Sequence, residues 1–173
     1  QEETGPSEEG LALQLDRALR VLGIATEITA LANPEDVSRH VVRCLTRELR
    51  LQAVSVLLQH PATGRLQYAA EHGVPEEVKA MGFRDQGITL RVFRTGEAVF
   101  VEDMAHDGST NPSARPYFKS YAALPIQHRD RAFGVLLVNY ASAHVFDPME
   151  RQILRTFASQ MAVALDNTRL LAA

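Results

Sequence analysis

Two small groups of side chains in the sequence are of the kind that bind metal ions or transfer protons. His40 and Cys44 stand four positions apart, and Asp103, His106 and Asp107 follow one another within a short stretch. Residues four apart on a helix share one face, so His40 and Cys44 could bind a metal ion together. Because the sequence places no further ligand beside them, we interpret His40 as an exposed residue next to a core cysteine.

The acidic group around His106 lies in a stretch that is rich in turn-forming residues. Gly108, Pro112 and Pro116 interrupt residues 103–119, which we predict to be a long irregular connection. The group could form a metal site or an acid–base pair, but we favour solvated turn residues, since Asp side chains commonly initiate turns. The sequence contains no Gly-x-Ser-x-Gly, phosphate-loop or His-Glu-x-x-His motif. We therefore expect no catalytic residue and no metal site.

The composition excludes several classes of protein. The 173 residues are 46% hydrophobic and 23% charged, as in an ordinary globular domain. A single cysteine excludes an internal disulfide framework, and the apolar runs are too short for a membrane span. The net charge is −3 and the basic residues are dispersed, which argues against a nucleic-acid partner. The acidic, polar start differs from a signal peptide, so we expect a cytoplasmic location without membrane insertion.

Helices are predicted at both ends of the chain, and one of them carries His40 and Cys44. Apolar residues recur every three or four positions over residues 8–31, 33–49 and 147–173, which predicts three helices. Each of the last two begins with Asn or Asp followed by Pro, a typical N-cap sequence. A further short helix is predicted over residues 87–94, where Gly96 provides the stop.

Between these helices, the periodicity of apolar residues changes to two. The alternation predicts strands over residues 52–59, 65–71, 98–102, 121–128 and 132–140. Tight turns join the first two strands and the last two, and such hairpins are antiparallel. The sequence therefore predicts an α+β domain with an antiparallel sheet and not a doubly wound parallel one.

The first and the last helix both show heptad-like apolar spacing. Such a seam is typical of helices that pack against a second helix, so we predict a homodimer through the two terminal helices. The seam residues are Leu11, Leu15, Ala18, Leu22, Leu154, Met161 and Leu165.

Four strings in this order resemble the GAF domain, a small-molecule sensing module of signalling proteins. They are GITLRVFRTGEAVFVED (87–103), YAALPI (121–126), FGVL (133–136) and FDPME (146–150). The resemblance implies one antiparallel sheet of five to six strands in the order 2-1-5-4-3. It also implies terminal helices on one face, and short helices with a long loop on the other. Residues 1–8 are then a polar tail or linker, and residues 9–173 form the GAF-like domain.

In this family a pocket lies between the sheet and the short helices, and the resemblance assigns ligand-binding residues to it. Its polar contacts would come from arginines, tyrosines and loop residues, and its walls from phenylalanines and small apolar residues. The candidates are Phe83, Arg84, Arg91, Val92, Phe93, Asp103, Asn111, Tyr117, Phe118, Tyr121 and Ala123, with Tyr68 beside them.

The resemblance does not identify the ligand, but it bears on two ligand classes, cyclic nucleotides and covalently attached bilins. Cyclic-nucleotide-binding GAF domains carry an Asn-Lys pair, whereas Asn139 is followed here by Tyr140. Phe146 and Glu150 keep the Phe-x-x-x-acid spacing of that motif, so a cyclic nucleotide stays an alternative. Bilin-binding relatives attach the pigment to a cysteine in the loop region or near the N-terminus. Since Cys44 falls in neither place, we expect no covalent bilin.

The resemblance implies a regulatory sensory domain of a larger signalling protein. It would bind a small molecule over the sheet and relay binding through its dimerising terminal helices. The expected partners are a second copy, a small-molecule ligand and a covalently attached output domain, as in two-component systems. The alternatives are a ligand-free structural dimerisation module, a cyclic-nucleotide receptor, and an enzyme that uses Cys44 or the histidines.

Overall fold

A computed structural model of the protein describes residues 7–31, 33–84, 86–108 and 112–171. In these ranges the helices are α1 (Glu8–Ile28), α2 (Pro34–Glu48), α3 (Glu76–Ala80), α4 (Ile88–Thr95) and α5 (Pro148–Leu171). The strands are β1 (Ala53–Gln59), β2 (Leu66–His72), β3 (Val99–Val101), β4 (Ser120–His128) and β5 (Arg131–Tyr140). Most of the predicted tail at residues 1–8 lies outside the described residues.

The described strands form one antiparallel sheet in the order β2-β1-β5-β4-β3, which confirms the predicted fold class. The β1–β2 and β4–β5 hairpins pair along their length, and β1 and β5 meet in the centre of the sheet. Gly134 permits this central pairing. A Cβ atom there would lie 1.8 Å from the Leu57 carbonyl oxygen, so the close approach of the β1 backbone requires a glycine.

One face of the sheet is covered by α2 and α5, on which α1 packs, and we call it the helix face. Alternate residues of the strands, including Val56 on β1 and Val138 on β5, pack there against Leu45, Leu154 and Phe157. All five side chains are buried. Burial of this apolar surface is the main source of stability on the helix face, at about 25 cal/mol per Å².

The other face is covered by α3, α4 and two short 3-10 turns, and we call it the lid face. The turns are formed by Met104–His106 and Pro112–Ala114. Val135 on β5 and Val92 on α4 are fully buried in the core of this face. The two-sided arrangement agrees with the layers that the resemblance implied.

Local signals in the sequence account for the start and stop of several elements. The Asn33 side chain accepts a hydrogen bond from the Asp36 backbone N–H at 2.9 Å and so caps α2. At the start of α5, the Asp147 carboxylate accepts from the Glu150 N–H at 2.8 Å. Gly96 ends α4 in the left-handed region with φ 71°.

The structure corrects the part of the predicted dimer seam that lies on α5. Leu154, Met161 and Leu165 are buried in the core of the helix face, so they are not available to a second copy. The reason is that α5 needs this apolar stripe to cover the sheet. A stripe with three–four spacing has the same appearance in the sequence whether its partner is internal or external.

The part of the predicted seam on α1 is mainly exposed, whereas the part on α5 is buried. Leu11, Leu15 and Leu22 are exposed and Ala18 is half-buried, although α1 packs against both α2 and α5 elsewhere along its length.

Among the described residues, no helix has the length and apolar character needed to cross a membrane.

Candidate functional site

A cavity of about 110 Å³ lies between the lid face of the sheet and the segments that cover it. Its floor is formed by β1 and β5, and its roof by α3, α4 and the two 3-10 turns. Most of its surface is apolar. The lining residues are Ser55, Tyr68, Val74, Val78, Met81, Gly82, Phe83, Ile88, Thr89, Met104, Ala114, Phe118, Tyr121, Leu137 and Asn139.

Two polar side chains lie on the floor of the cavity. Ser55 on β1 pairs with Leu137 on β5, and Asn139 follows two positions later on the same face of β5. Diagonal neighbours of this kind are about 7–8 Å apart between Cα atoms, which is within reach of a shared partner. Ser55 and Asn139 are both buried beneath the roof.

The roof supplies apolar walls and one more hydroxyl group. Thr89, in the first turn of α4, lines the cavity above the sheet and is buried. The rings of Tyr68 and Phe83 pack against each other with their centroids 5.6 Å apart. Met104 and Phe118 close the side that is formed by the 3-10 turns. The cavity is thus lined mainly by apolar side chains, with a few polar side chains among them.

The polar groups in the cavity differ in whether they have a partner. The Tyr121 hydroxyl donates to the Asp107 carboxylate at 3.3 Å. In contrast, the Ser55 and Thr89 hydroxyls and the Asn139 amide make no side-chain hydrogen bond to any described residue, and neither does the Tyr68 hydroxyl. Their polar atoms border the cavity and are not fully enclosed, since the fully enclosed side-chain polar atom without a partner among the described residues is the Arg115 Nε. The trio of Ser55, Thr89 and Asn139 is therefore available to a molecule inside the cavity.

The structure brings some of the predicted binding residues together at this cavity. Phe83, Phe118 and Tyr121 line it, as does Tyr68. Val92 and Ala123 are fully buried in the surrounding core and do not line it.

The remaining predicted residues are placed elsewhere or lie outside the described residues. Arg84 and Arg91 are exposed and do not line the cavity. The Asp103 side chain accepts from the Ala105 N–H at 2.9 Å and caps a 3-10 turn. The three others are Phe93 and Tyr117, which pack against the lid-face core, and Asn111, which is outside the described residues.

Sequence reasoning missed the unpartnered trio of Ser55, Thr89 and Asn139. A signal was present for two of them, since Ser55 and Asn139 are polar residues inside apolar strands. A polar residue at a buried strand position needs either a partner or a function. Thr89 offered no such signal, because Thr is common in the first turn of a helix.

The side chains that the sequence suggested for catalysis or metal binding have surroundings that are typical of structural residues. The Cys44 Sγ lies 3.5 Å from the His40 Nε2, and burial raises the pKa of the Cys44 thiol. A buried thiol with a raised pKa stays protonated and is a poor nucleophile. Among the described residues, no three His, Cys, Asp or Glu side chains come together as a metal site would require.

A second polar cluster lies on the helix face, where β5 leads into α5. The Tyr140 hydroxyl donates to one carboxylate oxygen of Glu150, and the His144 Nε2 lies 2.6 Å from the other. The rings of Tyr140 and His144 stack with centroids 3.8 Å apart. Burial, together with the hydrogen bond to Glu150, raises the pKa of Tyr140. This cluster is fully connected and joins the end of β5 to the start of α5.

Comparisons with known proteins agree with this geometry. A family model described as the GAF domain matches residues 32–166. The GAF domain from Acinetobacter phosphoenolpyruvate-protein phosphotransferase is 19% identical, with a TM-score of 0.75 over 92% of this chain and 96% of that chain. Residues 122 to 287 of a methyl-accepting chemotaxis protein are 21% identical, with a TM-score of 0.70 over 87% and 99%.

One similar structure is that of an enzyme. The free methionine-R-sulfoxide reductase from Neisseria meningitidis, solved in complex with its substrate, is 16% identical. Its TM-score is 0.71 over 87% of this chain and 89% of that chain. At these identities the likeness to solved structures shows the fold. No curated protein is significantly similar to the sequence.

Proposed function

The chain belongs to the GAF domain family, and on that premise we propose that it is a sensory domain of a larger signalling protein. It binds a small molecule in the lid-face cavity and transmits binding to an attached output domain through its terminal helices. GAF domains are sensory and regulatory domains of signalling proteins, and the similar structures include part of a chemotaxis protein. That context supports the attached output domain.

The observation that carries the proposal is the unpartnered trio above the sheet. Ser55, Thr89 and Asn139 are buried, face one cavity and lack a partner among the described side chains. The polar atoms of these three side chains border the cavity and are not fully enclosed, so a molecule in the cavity can reach them. A bound molecule with a hydrogen-bonding group would satisfy the trio.

The position of Asn139 supports a route from the cavity to the helices. Asn139 is followed directly by Tyr140, which hydrogen-bonds to Glu150 in the first turn of α5. A ligand that moves β5 at Asn139 would therefore also bias the arrangement at the start of α5. The size of the response is limited to the ligand's differential affinity for the two arrangements, commonly about 1–3 kcal/mol.

Two measurements test the sensor proposal. Native mass spectrometry of the purified protein should reveal a small molecule bound to it. Thermal-shift screening with small molecules should raise the melting temperature by several degrees for a binder, because binding stabilises only the folded state. A flat response to every compound, combined with no bound molecule, would contradict the proposal.

The exposed leucines on α1 support dimerisation of the domain. Leu11, Leu15, Leu19 and Leu22 follow one another at three–four spacing on one exposed stripe of α1. A contiguous exposed apolar stripe on a helix is typical of an interface. We therefore assign the dimer contact to α1 alone.

Leu15→Glu should turn the dimer into a monomer, because it places a charge within the apolar stripe. Leu13→Glu is the matched control, since Leu13 is similarly exposed, 71% against 61% for Leu15, but projects to the opposite side of α1. Light scattering should show half the wild-type mass for Leu15→Glu and an unchanged mass for Leu13→Glu. Equal masses for the two variants would contradict the assignment.

A ligand-free structural dimerisation module is the second candidate. The modest volume of the cavity, about 110 Å³, favours it, because drug-sized ligands occupy pockets of about 300 Å³ or more. This candidate predicts that the α1 variants change the mass in the same way and that no compound changes the melting temperature. The two candidates therefore differ in the thermal-shift measurement and agree in the light-scattering measurement.

A further inference from the structure

We infer that the lid-face cavity accepts an uncharged molecule of about one six-membered ring that carries a single hydrogen-bonding group. This inference rests on the proposed sensory function and names the chemical class of its ligand. Three properties of the cavity lead to it, namely its volume, the charge of its lining and the placement of its polar groups.

The volume limits the size of the ligand. The cavity measures about 110 Å³. An apolar cavity of about 150 Å³ in another protein holds one benzene molecule. A nucleotide, a haem or a bilin is several times larger than this cavity. It would have to displace the roof, including Met104 and Phe118, or extend into the neighbouring hollow that shares Tyr68 and Phe83. A compact ring fits the existing space with a small movement of the flexible Met104 side chain.

The described lining of the cavity favours an uncharged ligand. Among the described residues, no Asp, Glu, Lys, Arg or His side chain lines the cavity. The nearby cations that the resemblance suggested, Arg84 and Arg91, are exposed and do not line it. Moving a carboxylate group from water into such a site carries a large desolvation cost, and the charged group next to the lining is the Asp107 carboxylate behind Tyr121, which would repel an anion.

The polar groups are placed for one small functional group. Ser55 and Asn139 are diagonal neighbours on the floor, and the Asn139 amide can both donate and accept. A hydroxyl or carbonyl oxygen between these two side chains would satisfy both of them. The rest of the molecule would then lie against Phe83, Ile88 and Phe118, which form apolar walls. A ligand without any polar atom would leave the floor unsatisfied.

Calorimetric titration with four named probes tests the ligand class. Phenol should bind best, because it combines the ring with one hydroxyl group. Toluene has the same shape without the hydroxyl group and should bind about fivefold to tenfold more weakly, the usual effect of one buried hydrogen bond. Benzoate and cyclic GMP should give no heat of binding, the first because of its charge and the second because of its size and charge.

Two variants locate the binding. Asn139→Leu should reduce the affinity for phenol about tenfold and leave the affinity for toluene unchanged or higher. Ala114→Leu adds a side chain to the cavity wall and should abolish binding of both compounds. Ser55→Ala provides a milder version of the polar test, should Asn139→Leu fold poorly. Equal losses of phenol and toluene affinity in Asn139→Leu and Ser55→Ala would overturn the assigned polar contact.

The outcomes separate this inference from the proposed function. Preferential binding of benzoate or cyclic GMP would overturn the ligand class while leaving a sensory domain in place. If none of the four probes binds and Ala114→Leu is more stable than the wild type, both the ligand class and the sensory function are overturned. Binding of phenol above toluene, lost in Ala114→Leu, is the result that supports both.

Discussion

Asn139 and Tyr140 are consecutive residues of β5, yet they lie in contrasting environments. Each is 7% exposed, and because successive residues of a strand point to opposite faces, Asn139 faces the lid and Tyr140 faces the helices. The Tyr140 hydroxyl donates to Glu150, whereas the Asn139 amide makes no side-chain hydrogen bond to any described residue. The two side chains are therefore equally buried, but of the two only Tyr140 makes a side-chain hydrogen bond to a described residue.

The contrast distinguishes a connected polar cluster from polar side chains that border a cavity. On the helix face, Glu150 is satisfied by Tyr140 and His144, and the cluster joins β5 to α5. On the lid face, Tyr121 is paired with Asp107, whereas Ser55, Thr89 and Asn139 border a cavity and make no side-chain hydrogen bond to a described residue. The predictions below test the two faces, first together and then one at a time.

The largest expected difference concerns two buried methionines. Met161 is fully buried on the helix face, and Met104 is nearly so on the lid face, where it borders the cavity. Met161→Ala should lower the free energy of unfolding by about 2–5 kcal/mol. Met104→Ala should lower it by only about 1–2 kcal/mol, because that side chain already lacks neighbours on its cavity side. Urea denaturation of both variants measures the difference, and equal losses would contradict the contrast between the faces.

The second prediction removes the carboxylate from the helix-face cluster. Glu150→Ala leaves the buried Tyr140 hydroxyl without its acceptor and should lower the free energy of unfolding by about 2–3 kcal/mol. Glu150→Gln retains an acceptor oxygen of the same size and should cost about 1 kcal/mol. Thermal and urea unfolding measure both variants. A loss in Glu150→Ala no larger than that in Glu150→Gln would mean that the hydrogen bonds of Glu150 do not stabilise the fold.

The third prediction uses the pH dependence of the same cluster. The pKa of Tyr140 is raised in the folded state, so the protonated phenol is favoured there over the unfolded chain. Its contribution is complete below pH 10, the pKa of an unperturbed tyrosine, and falls by about 1.4 kcal/mol for each pH unit above that value.

Tyr140→Phe provides the comparison for this pH dependence. At pH 7 the variant should be less stable than the wild type by about 1 kcal/mol, because it lacks the hydrogen bond. Above pH 10 the gap should narrow, and by pH 11 it should close or change sign, since only the wild type loses the contribution of Tyr140, at about 1.4 kcal/mol for each pH unit. Urea denaturation at pH 7, 10 and 11 measures the gap, and a constant gap would show that the phenol does not titrate as the structure requires.

Much of the fold could be predicted from the sequence, because its signals are local. The N-cap at Asn33, the helix stop at Gly96 and the hairpins each depend on a few adjacent residues. The predicted strand at 121–128 agrees with β4 to within one residue. Alternation and capping are set by backbone geometry and therefore appear directly in the sequence.

The site was harder to predict because it depends on contacts between distant segments. Ser55 and Asn139 become neighbours only because β1 pairs with β5 in the centre of the sheet. The arginines at 84 and 91 were predicted from their position in the chain, but Arg84 lies in the loop between α3 and α4 and Arg91 on α4, and the direction of each side chain decides whether it reaches the cavity. The seam on α5 was misassigned because spacing alone does not identify what a stripe packs against.

The measurement that tests the central claim most directly is the free energy of unfolding of Asn139→Leu. If Asn139 is held for a ligand, replacing its unpaired amide with an apolar group of similar size should leave the stability of the unliganded protein unchanged or raise it by up to about 1 kcal/mol. A loss of more than about 1 kcal/mol would show that the amide already has a stabilising partner within the fold. That result would contradict the account of the lid face as a binding site.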